Sequence, residues 1–183
     1  MPPVSFRAPL RRPANNPSQS EPWWFVVLPT ESSASLPRRG RTTVTGTING
    51  RAPFQATLEP DGQLSHWLKL NDELRRAAGA EEGDTVAVEL RPVETEPEPQ
   101  IPDDLAAALA AAPQAARDAW NQTTTIARVD WIHWMTSAKQ PRTRTKRVAD
   151  ACDKLASGKK RVCCFDPSGH YSKAFCAPEA ADE

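Results

Sequence analysis

Apolar and polar residues alternate along the middle of the chain, and this pattern predicts β-strands. The run WWFVVLP, residues 23–29, is apolar at consecutive positions, which is typical of a strand buried on both faces. Three later segments alternate with the two-residue period of strands that have one buried face: 41–59, 64–70 and 85–91. The sequence therefore predicts about five strands, and we expect them to form a small closed or nearly closed barrel, since closure removes exposed edges.

Asn49-Gly50 predicts a hairpin turn in the middle of the 41–59 segment. A two-residue loop would place Thr45 opposite Phe54, so the apolar faces of the two strands would not match. A three-residue loop, 48–50, pairs Val44 with Phe54 and gives Gly50 the left-handed conformation that closes such loops. We therefore predict the three-residue loop.

A short helix is predicted between the last two strands. Asn71 has the side chain of an N-cap, acidic residues follow it in the first turn, and Gly79 stands where a helix would end. The segment 92–102, PVETEPEPQIP, has the composition of a stiff, extended linker. It divides the β segment from a region with a different period.

Helical periodicity begins at Asp103, where an alanine-rich helix is predicted, and Pro113 can occupy the first position of the next one. Residues at three- and four-residue spacing then form one stripe, which predicts a single helix with a core-facing side: Trp120, Thr124, Ala127, Trp131, Trp134 and Ala138. A third helix is predicted over 143–156.

These segments give an α+β fold, in which a barrel of about five strands is followed by about three helices packed on it. The barrel domain spans 22–91, the linker 92–102 and the helical domain 103–162. We expect a disordered, proline-rich tail over 1–21 and an irregular tail over 163–183. We expect Trp23, Trp24 and Trp67 to face the tryptophans of the helical stripe.

Charge is balanced over the whole chain but strongly uneven along it. Residues 139–161 hold nine basic and two acidic residues, a net of +7, whereas residues 72–104 hold eleven acidic and three basic residues, a net of −8. The basic segment is the candidate surface for an anionic or peptide partner. Its candidate side chains are Arg142, Arg144, Lys146, Arg147, Lys159, Lys160 and Arg161. The alternative is that these residues pair internally with the acidic stretch.

Histidine and cysteine are the other candidates for chemistry. His66 shares the apolar face of its strand, which suits either a hydrogen-bonded core histidine or one at the barrel mouth. The cysteines, Cys152, Cys163, Cys164 and Cys176, lack the paired spacing of structural zinc sites, so we expect no metal and no cofactor. Their redox activity depends on their surroundings.

No glycine-rich phosphate loop, HExxH or GxSxG pattern is present, so no catalytic residue is predicted and a non-enzymatic protein is favoured. The chain also has no apolar run of the ~18 residues that span a bilayer. We expect a cytoplasmic protein whose cysteines stay reduced.

Two groups of motifs carry a family resemblance. GTING, PFQATLEPDG and EEGDTVAVEL resemble a small β-barrel domain of unknown function. AARDAWNQTT, DWIHWMTSAK, TRTKRVADAC and KLASGKKRV resemble the YdeI/OmpD-associated family, which often follows that barrel domain. The resemblance implies protection against bacteriocins or antimicrobial peptides and supplies no catalytic residues.

Three functions are compatible with these observations. The first is a non-enzymatic stress or protection factor that binds an anionic or peptide partner. The second is a nucleic-acid-binding module that uses the basic segment 139–161, although no standard nucleic-acid motif is present. The third is a small-molecule sensor or enzyme that uses His66 at the barrel mouth. The oligomeric state is left open.

Overall fold

The computed structural model describes residues 2–15, 21–163 and 165–181. It divides into two compact units. The β unit combines the chain up to Thr95 with the segment from Asp166 onward, and the helical unit runs from Glu96 to Phe165. Parts of both predicted tails lie outside the described residues, namely 1, 16–20, 164 and 182–183.

Six antiparallel strands form a curled half-barrel in the β unit. In chain order they are β1 Val4–Pro9, β2 Trp23–Val27, β3 Thr42–Ile48, β4 Ala52–Pro60, β5 His66–Asn71 and β6 Thr85–Pro92. Their order in the sheet is β1-β6-β3-β4-β5-β2, and an isolated bridge joins Phe25 of β2 to Arg11, which lies two residues after β1. The α+β class is confirmed, but six strands in a half-barrel replace the predicted closed or nearly closed barrel of about five strands.

The strand that the sequence does not predict is β1, which lies in the segment expected to be a disordered tail. Val4–Pro9 pairs along its whole length with β6, and Phe6, Ala8 and Leu10 enter the core of the β unit. These apolar side chains alternate in the sequence with the two-residue period of a strand. The neighbouring prolines argue against a strand, but an outer strand accepts proline because one of its edges makes no ladder hydrogen bonds.

The hairpin between β3 and β4 has the predicted loop length at a different position. Asn49 and Gly50 both adopt positive φ, 52° and 64°, and Arg51 N donates to Ile48 O at 3.1 Å. Arg51 is then the extra residue, so Ile48 faces Ala52 and Gly46 faces Phe54. The predicted pairing of Val44 with Phe54 is therefore wrong, because Ile48 remains in the strand with a fully buried side chain.

Two short helices complete the β unit within the described residues, α1 Thr30–Ala34 and α2 Asp72–Ala78. The second is the helix that the sequence predicts between the last strands. The Asn71 side chain accepts a hydrogen bond from Leu74 N at 2.8 Å, and Gly79 ends the helix in the left-handed conformation. Because Asn71 is also the last residue of β5, the chain passes directly from strand to helix.

Four helices form the helical unit: α3 Asp103–Ala111, α4 Gln114–Asn121, α5 Thr125–Thr136 and α6 Pro141–Ala156. The predicted single stripe spans two helices, because Thr124 caps the start of α5 by accepting from Ala127 N at 3.2 Å. This is why the predicted count of about three helices is too low. Trp120 and Trp131 are buried within the unit, as a core stripe requires.

The end of the chain returns to the β unit. Ala14 N donates to Glu179 O at 2.8 Å, and Ala181 N donates to Arg12 O at 2.8 Å. A Cβ added to Gly62 would lie 2.1 Å from Phe175 O, so only glycine admits the returning backbone at this point. Residues 166–181 are therefore an integral part of the β unit.

Candidate functional site

Strands β4 and β5 separate soon after they meet, and this separation opens the side of the half-barrel. They pair at only two positions, Glu59 with Trp67 and Pro60 with His66. In contrast, β4 pairs with β3 over Ala52–Leu58, and β5 pairs with β2 over Trp67–Asn71. The sheet is thus continuous on the far side of each strand and open between them.

The opening is a cavity of about 600 Å³, here called the side cleft. Five consecutive residues of β4, 53–57, line it together with parts of β5 and α2. Successive strand residues point to opposite faces, so a cavity that touches five in a row borders the edge of the strand. The lining residues are Pro53, Phe54, Gln55, Ala56, Thr57, Glu59, Trp67, Lys69, Asn71, Glu73, Leu74 and Ala77.

The hydrogen-bond register shows which backbone groups of β4 face the side cleft. Asn49 N donates to Ala87 O at 2.7 Å, so odd-numbered residues of β3 turn their backbone groups toward β6. Even-numbered residues of β3 then bond to β4, where the register pairs them with even-numbered residues. Gln55 and Thr57 consequently direct their backbone N–H and C=O groups away from β3, toward the side cleft.

Apolar surface forms one part of the side cleft. Phe54, Ala56 and Leu74 are half-buried and pack against the core of the β unit. Trp67 extends this surface, since its ring lies 6.2 Å from that of Trp23 and 6.4 Å from that of Phe25. The Trp67 indole N–H is buried and has no hydrogen-bond partner among the described residues.

Of the three charged side chains that line the side cleft, Glu59 is neutralised by an ion pair and Lys69 keeps its charge in a ring contact. Arg41 forms a bidentate ion pair with Glu59, and the Arg41 Nε lies 2.8 Å and 2.9 Å from the two carboxylate oxygens. The Lys69 ammonium lies over the Trp23 ring, 4.6 Å from its centroid. Glu73 is exposed and makes no ion pair among the described residues. The side cleft therefore offers an apolar wall with one available carboxylate.

His66 lies in the core rather than at a barrel mouth, because its side chain is 0% exposed. Its Nε2 lies 2.9 Å from Gly40 O, and its Nδ1 lies 2.7 Å from Ser33 Oγ. A carbonyl can only accept, so Nε2 carries the proton and the Ser33 hydroxyl donates to Nδ1. The pair resembles a nucleophile and its base, but Ser33 is also 0% exposed, so its role here is structural.

Burial lowers the pKa of His66 below its ordinary value of 6.5, against the opposing effects of the Gly40 hydrogen bond and Asp61. Between pH 6.5 and the lower pKa of the folded state, His66 binds a proton in the unfolded chain but not in the folded chain. The free energy of unfolding should therefore fall as pH drops below 6.5, by up to about 1.4 kcal/mol per pH unit, until the folded pKa is reached. Urea unfolding between pH 7.5 and 5 measures this slope, and His66→Gln should reduce it; an equal slope in that variant would contradict the assignment.

The basic segment is largely occupied by contacts within the helical unit. Arg144 pairs with Asp104, with Nε at 2.7 Å from the carboxylate, and this ion pair lowers the pKa of Asp104. Lys146 pairs with Asp150 at 2.6 Å, and Lys160 donates to Gln122 at 3.0 Å. The Arg144–Asp104 pair is of the kind that the alternative predicts, whereas Lys146 and Lys160 bond to partners outside the acidic stretch.

Trp134 contacts two further basic residues of the segment. The Arg147 guanidinium lies 5.4 Å from the ring centroid and donates to the Trp134 carbonyl at 2.5 Å, while the Lys154 ammonium lies 4.6 Å from the ring. Three of the predicted candidates, Arg142, Lys159 and Arg161, are exposed and form no ion pair within the described part of the chain. They are spread over both ends of the segment.

Two family models cover most of the chain. Residues 6–90 match a domain of unknown function (DUF1905), and residues 98–158 match the family described as Bacteriocin-protection, YdeI or OmpD-Associated. These matches confirm the predicted resemblance to the YdeI/OmpD-associated family. The DUF1905 domain precedes it in the predicted order, and the side cleft lies entirely within the DUF1905 match. No curated protein matches the chain significantly.

The cysteines do not share one environment. Cys152 is buried in the helical unit, and burial raises the pKa of its thiol. Cys163 and Cys176 are exposed, and Cys164 lies outside the described residues. Among the residues that the structure describes, no three His, Cys, Asp or Glu side chains are grouped as a metal site would need. The helices that the structure describes are each too short or too polar to span a bilayer.

Sequence reasoning did not identify the side cleft. Its residues are ordinary strand and helix residues, and what makes them a site is the separation of β4 from β5, which is a tertiary feature. One local signal was available. Pro53 interrupts a segment that otherwise has the alternation of a central strand, and proline within a sheet marks an unpaired edge.

Proposed function

We propose that this protein acts in protection against bacteriocins or antimicrobial peptides by binding a peptide in the side cleft, without catalysing a reaction on it. The observation that carries the proposal is the opening between β4 and β5. A cavity of about 600 Å³ has the size of an ordinary ligand site and combines apolar walls with a few polar groups.

A basic residue of the peptide has one partner in the side cleft. Glu59 is paired with Arg41 and the charged Lys69 ammonium lies over the Trp23 ring, whereas the Glu73 carboxylate makes no ion pair among the described residues. A lysine or arginine of the peptide would pair with it, and apolar side chains would contact Phe54 and Leu74. This surface replaces the basic segment as the preferred binding site, because several of the basic side chains have internal partners.

Filling the side cleft should abolish binding. Ala77 is an exposed residue of α2 that lines the cleft, so Ala77→Trp adds a large side chain to it without entering the core. We expect the affinity for a capped peptide of alternating valine and lysine, acetyl-VKVKVKV-amide, to fall by at least about tenfold in isothermal titration calorimetry. This peptide carries apolar side chains that can contact Phe54 and Leu74 and cationic ones that can pair with Glu73.

Arg76→Trp is the matched control, since it adds the same side chain to the same helix outside the lining. It should bind the peptide as the unaltered protein does. Equal binding by the Ala77→Trp protein, or no binding by the unaltered protein, would contradict the proposal. Preferential binding of a single-stranded oligonucleotide that weakens steeply with salt would favour the nucleic-acid hypothesis instead.

A further inference from the structure

Both strands that border the side cleft turn backbone groups toward it. On β4 these belong to Gln55 and Thr57, as the register with β3 requires. On β5, Leu28 N donates to His66 O at 2.9 Å, so even-numbered residues bond to β2 and odd-numbered ones face β4. Beyond Trp67 these odd-numbered residues are Lys69 and Asn71, which have no strand partner on that side among the described residues.

Proline at position 53 fits this assignment. Pro53 lies inside β4, opposite Thr47, and has no N–H to donate. Because odd-numbered residues of β4 face away from β3, the missing donor costs no hydrogen bond in the β3–β4 ladder. The same proline at an even-numbered position would remove a ladder hydrogen bond. The strand is therefore built with one fully paired edge and one available edge.

We propose that the peptide binds as an added β-strand along β4, a proposal that rests on the peptide-binding function argued above. The N–H groups of Gln55 and Thr57 donate to peptide carbonyls, and their C=O groups accept from peptide amides. Main-chain hydrogen bonds of this kind supply affinity for any extended segment, while side-chain pockets select the sequence.

The side chains of the cleft define the class of peptide. An added strand directs alternate side chains to opposite faces of the sheet. The inward positions meet Phe54, Ala56 and Leu74, which are half-buried and apolar. The outward positions lie on the solvent side, near the exposed side chains of Glu73 and Lys69 that line the side cleft. The partner is thus an extended peptide segment with apolar residues at alternate positions and a basic residue placed to pair with Glu73.

A pair of proline substitutions tests the role of the β4 edge. Gln55→Pro removes a donor that faces the side cleft, whereas Ala56→Pro removes a donor that faces β3. We expect Gln55→Pro to keep the circular dichroism spectrum of the unaltered protein and to lose at least about tenfold in affinity for acetyl-VKVKVKV-amide. Ala56→Pro should disrupt the sheet itself. A folded Gln55→Pro protein with unchanged affinity would overturn the strand assignment.

Modified peptides test the same point on the unaltered protein, so the test does not depend on the folding of a variant. N-methylation of the three lysines blocks one edge of the extended peptide, and N-methylation of the valines at positions 3 and 5 blocks the other. We expect at least one of these analogues to lose about tenfold or more in affinity. If both bind as tightly as the parent peptide, the added-strand mode is wrong.

The two proposals fail in different ways. If acetyl-VKVKVKV-amide does not bind at all, the peptide-binding function fails and the strand mode fails with it. If the peptide binds and Ala77→Trp blocks it, while both N-methylated analogues bind normally, peptide binding stands and only the strand mode is overturned. If the protein forms a dimer and Gln55→Pro dissociates it, the β4 edge binds a second copy of the chain. That result would overturn the peptide as the occupant of this edge.

Discussion

Replacing Gly46 by alanine is expected to destabilise the β unit by about 3–5 kcal/mol, as overpacking against rigid backbone can do. Gly46 lies in the middle of β3, between Phe54 on β4 and Leu90 on β6. A Cβ at this position would lie 2.1 Å from Glu89 O and 2.9 Å from Leu90 Cα. Both contacts are with backbone, so the strand β6 would have to move to admit a methyl group.

Hydrogen exchange read by mass spectrometry measures this effect separately in each unit. Protection should be lost in the strands of the β unit and kept in α3–α6, because the helical unit has its own core. Gly50→Ala is the matched control. A Cβ there meets nothing within 4 Å, and the positive φ of 64° alone costs about 1–2 kcal/mol. Equal losses in the two variants would show that the backbone contact is not the cause.

Replacing His66 by alanine should destabilise the β unit by about 3–5 kcal/mol. The change leaves a cavity in the core, removes the partner of the Ser33 hydroxyl and removes one of two donors to the Gly40 carbonyl, which keeps its hydrogen bond from Thr42 Oγ1. A buried polar group without a partner costs its desolvation, typically about 1–3 kcal/mol. The His66 ring joins three segments by its hydrogen bonds, since Ser33 lies on α1, Gly40 in the following loop and His66 on β5. The substitution removes these links together.

Urea unfolding of the two single variants and the double variant separates these contributions. Ser33→Ala removes one hydrogen bond and should cost less than His66→Ala, and the costs in the double variant should not add, since the two residues share an interaction. His170→Ala is the control, as that histidine is exposed and its loss should change stability by no more than about 0.5 kcal/mol. Strict additivity would contradict the coupling between Ser33 and His66.

Local patterns in the sequence predict much of this fold. A continuous apolar run identifies β2, alternation identifies β3 to β6, and Asn71 with Gly79 identifies α2, because these signals depend on residues that are close in the sequence. The hairpin shows the limit of such reasoning. Its loop length follows from the matching of apolar faces, but its position depends on Ile48, whose buried side chain keeps it within the strand.

Features that depend on distant partners are not predictable in the same way. Strand β1 is short and flanked by prolines, and it is stable only because β6 pairs with it over its full length. The side cleft exists because β5 follows β2 rather than β4 after two residues. The basic segment gives a strong signal in the sequence, yet part of its charge serves ion pairs and ring contacts that only the folded unit reveals.

The return of residues 166–181 to the β unit has a consequence for the order of events during synthesis. Ribosomes deliver the chain from its N-terminus, and early domains usually fold before later ones appear. Here the β unit lacks its final segment until the whole helical unit has been made. Until then, the backbone around Gly62 and the 12–14 segment are without the partners that residues 175–181 provide. The nascent half-barrel is thus completed last, by the part of the chain that leaves the ribosome after the helices.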